Sequence, residues 1–146
     1  MTNSKKACLG SDFGQNALSK GRPQLMPHIV FDGTVDLIKI HDSFKPIFLK
    51  TDSIIKIKEV YLNSSSNNLL LSTLAIDDLH QEFFIEILSG NEKTTIRLYP
   101  LTDPQKTNSV KNAMVLVSKI IQKHHPELPI GKTNLQDYLS NPLLTC

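Results

Sequence analysis

Between His28 and Pro100 the chain runs through about five short segments in which apolar and polar positions alternate, the period-2 pattern of half-buried strands. After Pro100 the period changes. Val110, Ala113, Met114, Val117, Ile120, Ile121 and His124 form one helical stripe, while Lys111, Ser118, Lys119, Gln122 and Lys123 lie opposite. Asp103 followed by Pro104 reads as an N-cap and a first helical residue, and Pro126 ends the pattern, which predicts one long amphipathic helix over about 104–125. Burying about six of its apolar side chains is worth roughly 10 kcal/mol gross. The helix must therefore dock on the strands.

The strand segments differ in what bounds them. Asp32-Gly33 tolerates positive φ at both central positions of a type I′ turn, so 28–31 and 34–40 are expected to pair as a hairpin. In that register Ile29, Phe31, Ile38 and Ile40 share the core face, and Val30, Val35 and Leu37 lie on the other. A short segment at 46–50 opens on Pro46, which suits a sheet edge. In the longer segment 53–62, Ile55 and Ile57 alternate with Lys56 and Lys58. The phase then changes, leaving Val60 and Leu62 in step with the lysines, and a bulge or a change of covered face near Glu59 accounts for that. Segments 69–76, 81–88 and 94–99 follow, separated by an Asp77-Asp78 turn and a Ser89-Gly90 turn. Near the end, Thr133 and Gln136 stand at capping-box spacing for a short helix to about Ser140.

The predicted fold is α+β: an antiparallel twisted sheet or partly open β-barrel, packed by one long C-terminal amphipathic helix. Strands followed by a helix give, over roughly 28–125, an order like that of pleckstrin-homology-like domains, an analogy of topology that no motif carries. The division expected is an N-terminal arm at 1–27, an α+β core domain at 28–126, and a C-terminal extension with a short helix at 127–146. The arm is polar, broken by glycine and proline, and carries Lys5, Lys6, Lys20 and Arg22 against Asp12.

Charge changes the picture little. A formal net charge of +2 indicates no broad nucleic-acid surface, only room for a local basic patch. Cys8 and Cys146 lie near opposite termini without metal-type spacing, so a reducing, intracellular, cytoplasmic compartment is the expectation. No secretory pattern and no transmembrane stretch is read from the sequence.

Candidate chemistry is sparse. Gly131-Lys132-Thr133 imitates the end of a phosphate loop, but the glycine required five residues earlier is Pro126. Asp77, Asp78 and His80 are the candidate metal cluster, set against ordinary turn chemistry. Adjacent His124 and His125 point about 100° apart on a helix and suit its C-terminal carbonyls better than one ion. His41-Asp42 lacks a nucleophile nearby. Lys56 and Lys58, with Arg97, are the candidate phosphate-binding residues, which Tyr61 could join; base stacking requires exposed aromatics beside the lysines, and with three tyrosines and no tryptophan such a platform is poorly supplied. Pro46, Phe48 and Lys50 are the candidate partner-binding edge, since edges accept added strands.

The function this favours is a non-enzymatic protein-interaction module or complex subunit, binding another protein or itself and needing no cofactor. The alternatives are a phosphate-binding domain for nucleic acid or phosphoinositide, and a metal-dependent enzyme.

Overall fold

The computed structural model describes residues 26–140. Residues 1–25 of the arm predicted at 1–27, with Cys8, and the last six residues, with Cys146, lie outside them. Seven antiparallel strands form one sheet: β1 (His28–Phe31), β2 (Ile47–Lys50), β3 (Ile54–Leu62), β4 (Asn68–Ile76), β5 (His80–Ser89), β6 (Thr94–Leu98) and β7 (Ile130–Thr133). Their spatial order is β2-β3-β4-β5-β6-β1-β7. Three helices accompany them: α1 (Leu37–Ser43), α2 (Asn108–His124) and α3 (Gln136–Leu139). The α+β class is as predicted. The sheet is open, however, not a partly closed barrel: β2 and β7 stand at opposite margins.

Alternation makes the sheet two-faced. Leu62, Leu69, Ile87, Ile96 and Ile29 stand in one cross-strand row, and Val60, Leu71, Ile85 and Leu98 in the next. These side chains point to the inner face, where α2 packs on β1, β3, β4 and β6, and α1 on β3 and β4. Val60 and Leu62 reach that face because the register slips between Ile57 and Glu59, the bulge expected from the phase change.

The Asp-Gly hairpin does not form. Asp32 N–H donates to Pro129 O at 2.9 Å, so β1 is flanked by β7, and the chain leaves the sheet at Gly33. Gly33 has φ +147°, and a Cβ there would collide with Leu128 Cδ2. Residues 37–43 are helical because Asp36 caps them, its Oδ1 accepting Lys39 N–H at 3.2 Å. Leu37 and Ile40, three apart, are buried together, while Ile38 is 49% exposed. Over four residues the periods 2 and 3.6 both fit this stretch, and the cap decides between them.

The long helix also starts later than expected and is not terminal. Gln81 and Gln105 bond each other in both directions, Gln105 N–H to Gln81 Oε1 at 2.7 Å and Gln81 Nε2 to Gln105 O at 3.2 Å. This holds 104–106 out of the helix, and the cap falls to Thr107 instead of Asp103. Beyond α2 the chain returns as β7, pairing with β1, and then forms α3. The helix that the likeness to pleckstrin-homology-like domains places last is thus mid-chain. At α3 the cap position is Leu135, and Thr133 Oγ1 is used elsewhere: it donates to His28 O and accepts Leu135 N–H. Among the described residues no helix is long and apolar enough to cross a membrane.

Candidate binding surface

The buried residues of the strands belong to the inner face, Glu86 apart. The outer face carries the side chains in the opposite phase, and its rows follow from the register. Phe48, Lys56, Leu74 and Glu82 form one row across β2 to β5. Tyr61, Leu70, Glu86, Arg97 and His28 form a second, across β3, β4, β5, β6 and β1. Asn68, Leu88, Thr95, Val30 and Lys132 form a third, reaching β7.

Two sets of residues that the sequence left separate meet here. Phe48 and Lys50 of the predicted partner-binding edge project from the same side of the sheet as Lys56, Lys58 and Arg97 of the predicted phosphate set. Phe48 is 63% exposed and sits opposite Lys56; exposed Pro46 precedes β2 at the free margin. Between Ile57 and Glu59 the bulge inserts Lys58, whose Nζ donates to Glu82 Oε1 at 2.7 Å. That hydrogen bond, and then the lysine charge, hold the exposed Glu82 carboxyl below its ordinary range.

Arg97 is anchored more deeply. Its Nε donates to Glu86 Oε1 at 2.7 Å, and Asn68 Nδ2 donates to Glu86 Oε2 at 2.9 Å. The Glu86 side chain is 4% exposed and that of Arg97 42%. A guanidinium has five N–H donors, and Glu86 takes the one on Nε. Lys50, Lys56 and Lys132 make no ion pair among the described residues; on the acidic side of this face the same holds of Glu59. Among the strand residues of the face the unpaired charge is therefore positive, while Asp52 and Asp78 stand near Lys50 and Asp32 near Lys132.

Aromatic rings lie among these cations. Tyr61, 49% exposed, meets Phe84 edge to face at 6.1 Å between centroids, and Phe84 meets Tyr99 in the same way at 6.4 Å. From the sequence Tyr61 could be placed beside the basic residues and Tyr99 on the strand face of Arg97, but Phe84 was not linked to either. Phe84 was legible as the polar-phase residue between Phe83 and Ile85, but its contact with Tyr61 depends on the bulge. Lys132 was legible only as part of a rejected phosphate loop.

The candidate metal residues have other surroundings. Asp77 Oδ2 accepts the Ser109 hydroxyl at 2.8 Å and the Ser109 N–H at 3.4 Å, and Oδ1 accepts Leu79 N–H at 3.0 Å. These bonds, the Leu79 one foremost, lower the Asp77 pKa and commit the carboxylate to the start of α2. Asp78 is exposed in the turn, and His80 points along the outer face, 3.9 Å from Glu82. Among the described residues no three His, Cys, Asp or Glu side chains converge as around a metal ion. A cleft of about 740 Å³ opens beside Asp77, and its lining mixes Asp52 and Asp78 with Lys106 and Lys111.

The histidines serve α1. His125 Nε2 accepts Asp36 N–H at 3.2 Å, and His124 Nε2 lies 3.2 Å from Ser43 Oγ. Ser43 gives its hydroxyl proton to Lys39 O at 2.8 Å, so the pair is a structural contact with no activated nucleophile. His41 Nδ1 lies 3.0 Å from Asp42 Oδ1 on the exposed end of α1.

Compared with protein-family models, with curated proteins and with solved structures, the chain gives no significant match.

Proposed function

We infer that the protein is a non-enzymatic binding module, working inside the cell without a cofactor, whose contact surface is the outer face of the sheet together with its β2 margin. The observation that carries this reading is the exposure of Phe48 and Tyr61, 63% and 49%, on a face whose opposite side already supplies the core. The two rings stand on one face of adjacent strands, in different rows, and exposed apolar side chains that share a face mark contact sites more often than scattered ones do. The hydrogen bonding of Asp77 and Ser43 also favours binding over catalysis, since both groups are occupied by the fold itself.

The test is a purified full-length chain against a Phe48→Ser/Tyr61→Ser double variant, each isolated gently from its native lysate. The reading expects the wild-type chain to retain a stoichiometric macromolecule, by protein stain or by absorbance at nucleic-acid wavelengths, and the variant to lose it at an unchanged fold by circular dichroism. Equal retention by both chains would overturn it.

A further inference from the structure

We propose that the outer sheet face binds single-stranded nucleic acid, with Tyr61 and Phe48 as stacking positions and Lys56, Arg97 and Lys132 as phosphate contacts. This rests on the reading of the outer face as the contact surface and names its partner class.

Single-strand recognition needs two things close together: rings on which bases of any sequence can stack, and cations that follow the backbone. The face has both, interleaved. Along β3, Lys56 and the bulged Lys58 stand between Phe48, which is opposite Lys56, and Tyr61. Across the sheet, the row from Tyr61 through Leu70 and Glu86 to Arg97 and His28 spans five strands, roughly 19 Å at the usual strand spacing. Phe84 backs Tyr61 edge to face and is itself met edge to face by Tyr99, which holds the Tyr61 ring before any ligand arrives.

Charge favours the same partner. Within the strands Glu82 and Glu86 are neutralised by Lys58 and Arg97, leaving Lys50, Lys56 and Lys132 against Glu59. Asp52 and Asp78 stand near Lys50 and Asp32 near Lys132, so the principal phosphate contacts are the cations in the middle of the face, Lys56 and Arg97. The four remaining N–H groups of Arg97 suit a phosphate, because the buried Glu86 holds the guanidinium in place without covering it. An acidic protein segment could use the cations, but it would leave the rings without a flat partner. A duplex would present its phosphates while keeping its bases stacked away from Tyr61 and Phe48.

The experiment is fluorescence anisotropy of the full chain with fluorescein-labelled oligo(dT) and oligo(U) of about ten nucleotides, beside a duplex of equal length. The proposal expects saturable binding of the single strands, weaker binding of the duplex, and a log–log salt slope near −2 for three phosphate contacts. Tyr61→Ala should weaken binding roughly tenfold. Lys56→Ala should flatten the salt slope by about 0.7, and Lys123→Ala, on α2, should change nothing. Arg97→Lys keeps a cation beside Glu86 and should still lose affinity, because the fork is gone.

No binding up to about 100 µM, the weak limit of non-specific association, would overturn the proposal. So would wild-type affinity in Tyr61→Ala, or binding of anionic vesicles that is equally strong in that variant. Failure here leaves the binding-module reading standing if the Phe48→Ser/Tyr61→Ser variant still sheds a protein partner. Both fall if it sheds nothing.

Discussion

Arg97 and Glu86 stand directly opposite each other on β6 and β5, with Nε 2.7 Å from Oε1, and the carboxylate is almost wholly buried while the guanidinium is not. The pair ties an outward-facing cation to the sheet through an anion that has no other route to solvent.

Removing the cation alone should therefore cost more than removing both groups. Arg97→Ala is expected to destabilise the fold by about 2 kcal/mol, less than a fully buried pair, because Asn68 still donates to Glu86 and water reaches the vacated side. Replacing both by Leu should restore most of that loss. Urea denaturation of the two variants and the wild type checks it, and a double variant no better than Arg97→Ala would contradict the account.

Asp77 ties the β4–β5 turn to the first turn of α2. Its folded pKa is below the unfolded value, chiefly through the Leu79 N–H and then Ser109. The unfolded chain then binds the proton more readily. The stabilisation is complete above the ordinary carboxylate pKa near 3.9 and is lost as pH falls through the folded value. Asp77→Asn, which keeps the acceptor and removes the charge, should lower stability at pH 7 by about 1 kcal/mol, the difference between charge-assisted and neutral hydrogen bonds. It should also flatten the acid limb of the stability–pH curve below about pH 4. Ser109→Ala should reproduce part of both effects.

His124 behaves in the same direction for a different reason. Burial first, and then the positive charges of His125, Lys39 and Lys123, lower its pKa, so the folded state favours the neutral ring. The unfolded chain binds the proton first, so this contribution is whole above about pH 6.5 and declines as pH falls through the folded value. His124→Gln should remove a downward step in stability on the acid side of neutrality. A pH series of denaturation midpoints, with the His124 ring followed by NMR, measures it directly.

Much of the sheet was legible because inner-face positions recur at period 2 with little interruption from β3 to β6. Ile55, Ile57, Ile85, Ile87 and Ile96 declare their side of the sheet by alternation, whereas Leu69-Leu70-Leu71 does not, and the shift before Val60 leaves a bulge or a change of covered face, which the register decides. The stretch 34–40 misled because Leu37, Ile38 and Ile40 satisfy both periods. The deciding group, Asp36, is polar and marks a helix start only once the chain around it has left the sheet. The helix start misled in the same way: Asp103-Pro104 is a good local signal, overridden by Gln81 reaching across to Gln105.

The proposed binding face was legible residue by residue and not as a surface. Phe48 and Lys50 were singled out as an edge, and Lys56, Lys58 and Arg97 as a basic set, yet nothing in their spacing puts Arg97 in line with Tyr61. That alignment passes through Leu70 and Glu86, and it requires the one-residue slip at Lys58.

The sequence by itself determined the class of the fold, the inward residues of the middle strands and the docking of one long helix, because apolar periodicity is a local property that burial must satisfy. Tertiary structure decided which strands are neighbours, that the chain after α2 returns to pair with β1, and that Tyr61, Phe84, Tyr99 and Arg97 share one face. Those outcomes depend on backbone hydrogen bonds and side-chain contacts between residues far apart in the chain, and alternation along a single strand carries no record of its partner.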